Sequence, residues 1–357
     1  MSAIAVAAPS APQKRLWIEL GRPFVHPVFD LLIIGGGLSL LFILALRLAG
    51  PVALPAGALW TVILLVNSAH FGASTVRLYT KERSFRDLPF LTMGLPLAAL
   101  AVFVAGVWFP SAVGRHLMAL YFTWSPYHYA AQAYGLAVMY SYRSGSTLTV
   151  NDKRLLWAAC LLPFAYSFVA ARGAGIEWLV PSSAFPTAGW TLTRTMGLKV
   201  LGVLVFAAPA ALFARSLLSG GRARLPMISL VAMVANGMWW VSFNYWDAFI
   251  WATIFHGLQY LAISLVFHVR DRERQGGAAA PWWRHAVAFY GASLGLGYLL
   301  FQVWPHAGPL GGFAYAHTLL VVVAVINIHH FIVDAFIWRL RKDPNARVVA
   351  AAAPSTA

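Results

Sequence analysis

Five histidines and one aspartate sit inside stretches of sequence otherwise suited to hydrocarbon. The densest stretch is Asn327-Ile328-His329-His330-Phe331-Ile332-Val333-Asp334, in an apolar run from Phe313 to Trp338 that ends at Arg339, Arg341 and Lys342. An ionisable side chain at bilayer depth costs about 2.5–3.5 kcal/mol on insertion scales, so each is a candidate functional group. His330 and Asp334 are four residues apart and share one helix face. His329 points roughly 100° away from His330. The other three are His70 in Asn67-Ser68-Ala69-His70-Phe71-Gly72, His128 in Tyr127-His128-Tyr129-Ala130-Ala131-Gln132, and His256 in His256-Gly257-Leu258-Gln259-Tyr260.

Polar neighbours accompany them. Gln132 lies one turn beyond His128, Gln259 and Tyr260 follow His256, Asn67 precedes His70, and Asn327 precedes His330. A ligating histidine usually donates its second ring N–H to an amide, carboxylate or carbonyl. Gln132, Gln259 and Asn327 are therefore read as groups that support the histidines or a bound cofactor. The small residues Ser68, Gly72, Ala131, Gly135 and Gly257 would let helices approach closely around them. A single membrane histidine commonly bridges helices by a hydrogen bond worth about 0.6 kcal/mol. Five on four segments, at comparable depth, point instead to one metal or haem site, with a proton relay or a polar substrate cavity as the alternative. Counted from the expected outer ends of the spans, His256 comes out about 10 Å shallower than the rest. His26-Pro27-Val28-Phe29-Asp30 forms a second pair at i, i+4, which suits a helix start. His268 has the same standing, and His317 is ambiguous. His116, His285 and His306 fall near span ends and read as interfacial.

The donor set limits the chemistry. The only cysteine is Cys160, which excludes a thiolate cluster and a disulfide framework. Imidazoles with one carboxylate suit iron, copper, zinc or manganese, and with open positions they suit non-haem Fe(II) and O₂. The expected metal ligands are His70, His128, His256, His329, His330 and Asp334. Tyr260 and Tyr129, and also Tyr127, are candidates to donate a proton or an electron. The apolar surroundings imply a lipophilic substrate such as an acyl chain, isoprenoid, sterol, carotenoid or quinone. The expected activity is oxidation of that substrate with O₂, with a possible redox partner. The rival readings are a haem b electron-transfer protein, a proton-coupled transporter using the same histidines, and a non-enzymatic assembly factor. Copper and zinc are the alternative ions.

Three family patterns bear comparison. Membrane desaturases use full HxxxH and HxxHH boxes, of which this chain has only His329-His330. Haem–copper oxidases pair a double histidine with a His-x-x-x-Tyr element, echoed by His329-His330 and His256-Gly257-Leu258-Gln259-Tyr260, but the order differs and the later His-x-His is missing. Membrane carotene-cleaving oxygenases gather histidines from several helices on one iron, and the chain is similar only in that general sense. No family is assigned on these grounds.

The elements that must position these residues are membrane helices. Of 357 residues 60% are hydrophobic and only 10% charged, against about 25% charged in a soluble domain, and the mean hydropathy is +0.69. Ten spans are expected, roughly 28–48, 56–78, 88–108, 112–141, 154–171, 195–218, 226–246, 247–269, 284–303 and 312–338. The abutting spans at Asn244-Tyr245-Trp246-Asp247 could instead be one broken helix. Every second connection is basic, so the net charge of +15 reads as positive-inside loops rather than nucleic-acid binding. The expectation is an all-α polytopic bundle over 26–342 in the cytoplasmic (inner) membrane. Both termini are expected in the cytoplasm, as disordered tails over 1–25 and 343–357. The connection 172–194 is long enough to cover a site or lie on the interface. Many of the 15 tryptophans fall near span ends, as an aromatic belt does.

Overall fold

The computed structural model describes residues 19–50, 55–180, 182–218, 224–275, 280–338 and Val349. Among them there is no strand, and the chain is a bundle of helices. In order these are α1 Pro27–Ile34, α2 Gly37–Ala49, α3 Gly57–Thr80, α4 Phe90–Trp108, α5 Arg115–Arg143, α6 Val150–Ala170, α7 Ala188–Leu218, α8 Met227–Ser242, α9 Tyr245–Arg274, α10 Trp282–Leu310 and α11 Tyr315–Ile337. Seven of them, α3, α4, α6, α7, α9, α10 and α11, are long and apolar enough to cross a membrane. The pair α1 and α2, bent by 55° at Gly35 and Gly36, makes an eighth if it crosses as one. The chain is thus built as a helical membrane protein.

The expected tenfold pattern recurs as helices, but two depart from the apolar norm. Helix α8 has 16 residues and is short for a crossing. Helix α5 has 29, of which fifteen are buried, and it carries serine, tyrosine, histidine and glutamine where a lipid-facing helix would carry leucine. Its polarity faces protein rather than lipid. The seam near Asn244 resolves into two helices, not one broken one. Helix α8 ends at Ser242, and the Asn244 side chain caps α9 by accepting from the Asp247 N–H at 3.0 Å. Helix α6 starts earlier than its hydropathy implies because Thr149 and Asp152 form a reciprocal cap. Helix α7 likewise starts before residue 195, with Thr187 Oγ1 accepting from the Trp190 N–H at 3.2 Å.

Helices α9 and α11 are the innermost, with 61% of their most apolar stretches buried, against 17% for α7. Around them α3 packs on α9, α10 and α11, and α5 packs on α8 and α11. Close approach depends on missing side chains. A Cβ at Gly72 would collide with the Ser293 carbonyl, and one at Gly297 with the Ser68 carbonyl. These positions let α3 and α10 touch backbone to backbone. At the α1–α2 bend, Gly36 has φ +80°, and a Cβ there would meet the Gln259 amide at 2.8 Å.

The tail expected over 1–25 falls mostly outside the described residues, as does the one over 343–357. Its last part is held against the bundle. Met227 and Ile228 N–H groups donate to the Glu19 and Leu20 carbonyls, and Phe24 is fully buried. Among the described residues, the connection after α6 packs on the end of the bundle where α9 begins, with Trp178 stacked on Phe122 and in contact with Tyr245 and Trp246.

Candidate metal centre

Four helices each contribute one buried imidazole. His70 follows a π-helical stretch of α3, Ile63–Ser68, a widening of the turn often found at functional sites. His128 follows Pro126 inside α5. Proline has no N–H to give the Phe122 carbonyl four residues back, and the Tyr245 hydroxyl donates to it instead, at 2.9 Å. His256 lies against Gly257 and His70 on the α3–α9 contact, where a Cβ at Gly257 would reach His70 Nδ1 at 3.2 Å. His330 comes from α11.

The rings form a closed circuit. Centroid separations are 5.3 Å for His70–His256, 5.0 Å for His256–His128, 5.0 Å for His128–His330 and 4.8 Å for His330–His70, with neighbouring planes 73–89° apart. For a square of 5 Å side the centre lies about 3.5 Å from each ring centre. A metal–nitrogen bond of about 2.1 Å plus roughly 1.1 Å from nitrogen to ring centre gives about 3.2 Å. The ring spacing is thus of the size a shared ion requires, and the ligand atoms fall into two overlapping sets that meet at His330. Ligand atoms of His70, His256 and His330, and of His128, His330 and Asp334, lie within 4.8 Å of one another in each group. Asp334 Oδ2 is 3.4 Å from His330 Nε2 and 3.7 Å from His128 Nε2.

The unmet hydrogen-bonding capacity fits the same reading. Among the described residues, His70 Nδ1, His128 Nε2, both nitrogens of His256 and His330 Nε2 are buried without a hydrogen-bond partner. Unpaired buried nitrogens cost about 1–3 kcal/mol each, so such a concentration is expected where an ion completes the set. His330 is oriented from behind by Ser74 Oγ, 2.9 Å from its Nδ1. Asp334 Oδ1 accepts from the Tyr260 hydroxyl at 2.7 Å, and Trp338 Nε1 donates to the same Tyr260 oxygen at 3.4 Å.

Several expected members stand elsewhere. His329 is only partly buried and does not join either group, because adjacent residues on a helix cannot face the same way. Tyr129 packs its ring on His256 at 4.5 Å, but its hydroxyl is bonded to Thr253 Oγ1 at 2.6 Å, so it forms a wall. Asn327 turns its amide to its own helix, donating to the Val323 carbonyl. Gln259 donates to the Ile34 carbonyl beside the α1–α2 bend. Gln132 donates to the backbone carbonyl of His256 at 3.1 Å and so ties α5 to α9.

The expected depth offset of His256 shrinks once the helix ends are known. His256 is eleven residues after Tyr245, His70 and His128 are thirteen after Gly57 and Arg115, and His330 is fifteen after Tyr315. Two to four residues amount to about 3–6 Å. His26 is a helix cap, its Nδ1 accepting from the Val28 N–H, and His268 stacks on Phe289. His317 Nε2 is 3.2 Å from the Gly106 carbonyl. Ser74 was legible in principle, four residues after His70 and so on its face. Trp338 was masked by the aromatic belt, and Arg77 by the basic loop to which its charge assigned it. Arg77 is in fact buried in α3, 3.6 Å from Asp271 and stacked over Trp338.

Fold and cluster together define a helical membrane protein with a buried histidine–aspartate group able to hold a metal ion. No protein-family model, curated protein or solved structure matches the chain.

Proposed function

We propose that this chain is an integral membrane metalloprotein, a non-haem iron oxidoreductase that uses O₂ on a lipophilic substrate. The observation that carries this reading is the circuit of four buried imidazoles beside Asp334, at the inner end of an apolar cavity. His70, His128, His256 and His330 would hold the ion. Asp334 supplies a negative charge against it, as ligand or as neighbour. Iron in such a set offers open positions for O₂ activation. Tyr260 holds Asp334 in place and offers a hydroxyl through which a proton can pass. The cavity walls Phe331 and Trp124 keep water away from reactive oxygen species.

The haem b alternative is disfavoured by spacing. Rings about 5 Å apart on all four sides leave no slot for a porphyrin plate. In this reading all ten apolar or amphipathic segments cross the cytoplasmic membrane, and both termini lie on the cytoplasmic side with the basic connections.

Elemental analysis of detergent-purified protein, with absorption and electron paramagnetic resonance spectra, tests the reading. About one iron per chain and no Soret band is the expected result. Metal-free protein as isolated, unable to take up iron, copper or zinc, would overturn it and leave proton-coupled transport by the same histidines as the better account.

A further inference from the structure

Between α5 and α11 a cavity of about 450 Å³ runs inward to His128, Asp334 and Tyr260. It reaches the surface at Tyr127 and Ala335, both exposed, on faces that lie against the bilayer if these helices cross it. The outer part of the wall on α5 is Ala131 and Gly135, and a Cβ built at Gly135 meets nothing within 4 Å. A small-residue stripe that faces no partner helix is a gap, not a packing seam. Here it coincides with a cavity that ends at the candidate centre.

We infer that this cavity is a lateral port, and that it binds an uncharged long-chain lipid bearing one hydroxyl, drawn sideways from the membrane. The inference rests on the reading of the site as acting on a lipophilic substrate, and it names the substrate class and the way in. Three observations carry it. First, size: at about 30 Å³ for a water-sized or methylene-sized group, there is room for roughly fifteen such groups. Second, charge: among the described residues Asp334 is the only carboxylate in the lining, and there is no lysine or arginine. Outside the centre itself the lining offers a carboxylate or phosphate headgroup no counter-ion, and burying such a charge unpaired is costly. Third, a specific acceptor: the Gln132 amide nitrogen is committed to the His256 carbonyl, which fixes the amide's orientation. Its Oε1 is buried in the lining without a partner among the described residues. A hydroxyl is an uncharged lipid group that satisfies a lone carbonyl acceptor. It would then lie on α5 one turn from His128, with the chain running out past Phe331 and Tyr127.

The test is photolabelling of the purified protein in nanodiscs. The probe is a diazirine-bearing hexadecanol, compared with the matching hexadecanoic acid, and labelled peptides are mapped by mass spectrometry. The expected label falls on 124–139 of α5 and 331–338 of α11, at least tenfold above the acid, and is displaced by unlabelled 1-hexadecanol. Gly135→Leu and Ala131→Phe fill the gap and lower that label at least tenfold. Gln132→Leu removes the acceptor and lowers the alcohol label, while the acid label stays low. Label spread over the exterior, equal labelling by the acid, or unchanged labelling in both filling variants overturns the port. Metal content measured on the same samples separates the two readings. Metal-free protein that still labels at these peptides keeps the port and loses the metal centre, and metal-loaded protein that does not label does the reverse.

Discussion

The Tyr260 hydroxyl donates to Asp334 Oδ1 at 2.7 Å, joining α9 to α11 across 74 residues of sequence. The bond divides the carboxylate. One oxygen is held by Tyr260, and the other faces His128 and His330. Behind the carboxylate the Trp338 indole donates to the Tyr260 hydroxyl oxygen, and the Arg77 guanidinium lies 4.9 Å above that indole. The carboxylate therefore reaches the histidines already oriented.

Tyr260→Phe removes that orientation while preserving ring packing. The metal content should stay near wild type, since the four imidazoles are untouched. Substrate turnover should fall by about 10–100-fold, the usual cost of losing an outer-shell partner. Oxygen consumption, measured beside iron stoichiometry, checks it. Iron lost in proportion to activity would show Tyr260 to be merely structural.

Ser74→Ala and His329→Ala separate the cluster from its sequence neighbours. Ser74 holds His330 at Nδ1, so its loss should weaken metal affinity by about 10–100-fold. His329 turns away and its loss should leave affinity unchanged. Competition with a chelator reads both variants on one scale, and equal effects would contradict the geometry.

Gly72→Ala tests the framework. Its methyl group would collide with the Ser293 carbonyl, so α3 must shift from α10, and His70 sits two residues away. Overpacking of this kind costs about 1–3 kcal/mol. Thermal unfolding should show a lower midpoint, together with reduced iron content. Gly135→Ala, which meets open space, should change neither.

His330, Asp334 and the three single histidines were legible because polar groups inside apolar runs are costly enough to be kept only for a reason. Tyr260 was legible from its i+4 spacing to His256. What spacing could not convey was which way each amide would turn. Asn327 and Gln259 lie near histidines in sequence, yet they bond to backbone carbonyls of α11 and α1. Both bonds depend on tertiary contacts or on rotamers that no local pattern specifies. The failure at Tyr129 has the same origin, since Thr253 is 124 residues away. The helix ends moved where caps decide them, at Thr149, Thr187 and Asn244.

Asp30→Ala tests a part of the bundle outside the candidate metal centre. Its carboxylate accepts the N–H groups of Phe24, Val25 and His26 at 2.5, 3.0 and 3.1 Å, and the Tyr140 hydroxyl at 2.7 Å. Arg143 donates to the Pro23 carbonyl, and Arg270 to that of Phe24. Each buried donor left unpaired costs about 1–3 kcal/mol, so the segment before Pro27 should detach. Limited proteolysis should cut there in the variant and not in wild type, while iron content in the intact fraction is unchanged.

The polar character of α5 bears on how the protein is made. The segment that brings His128 and Gln132 to the centre is the one whose own composition least favours leaving water, because it spends its length on groups that only other helices can satisfy. If α5 crosses the bilayer, during biosynthesis it must wait beside the translocon, or re-enter from it, until later segments such as α8, α9 and α11 offer those contacts. The residues that α5 brings to the candidate centre thus belong to the part whose insertion depends most on its companions.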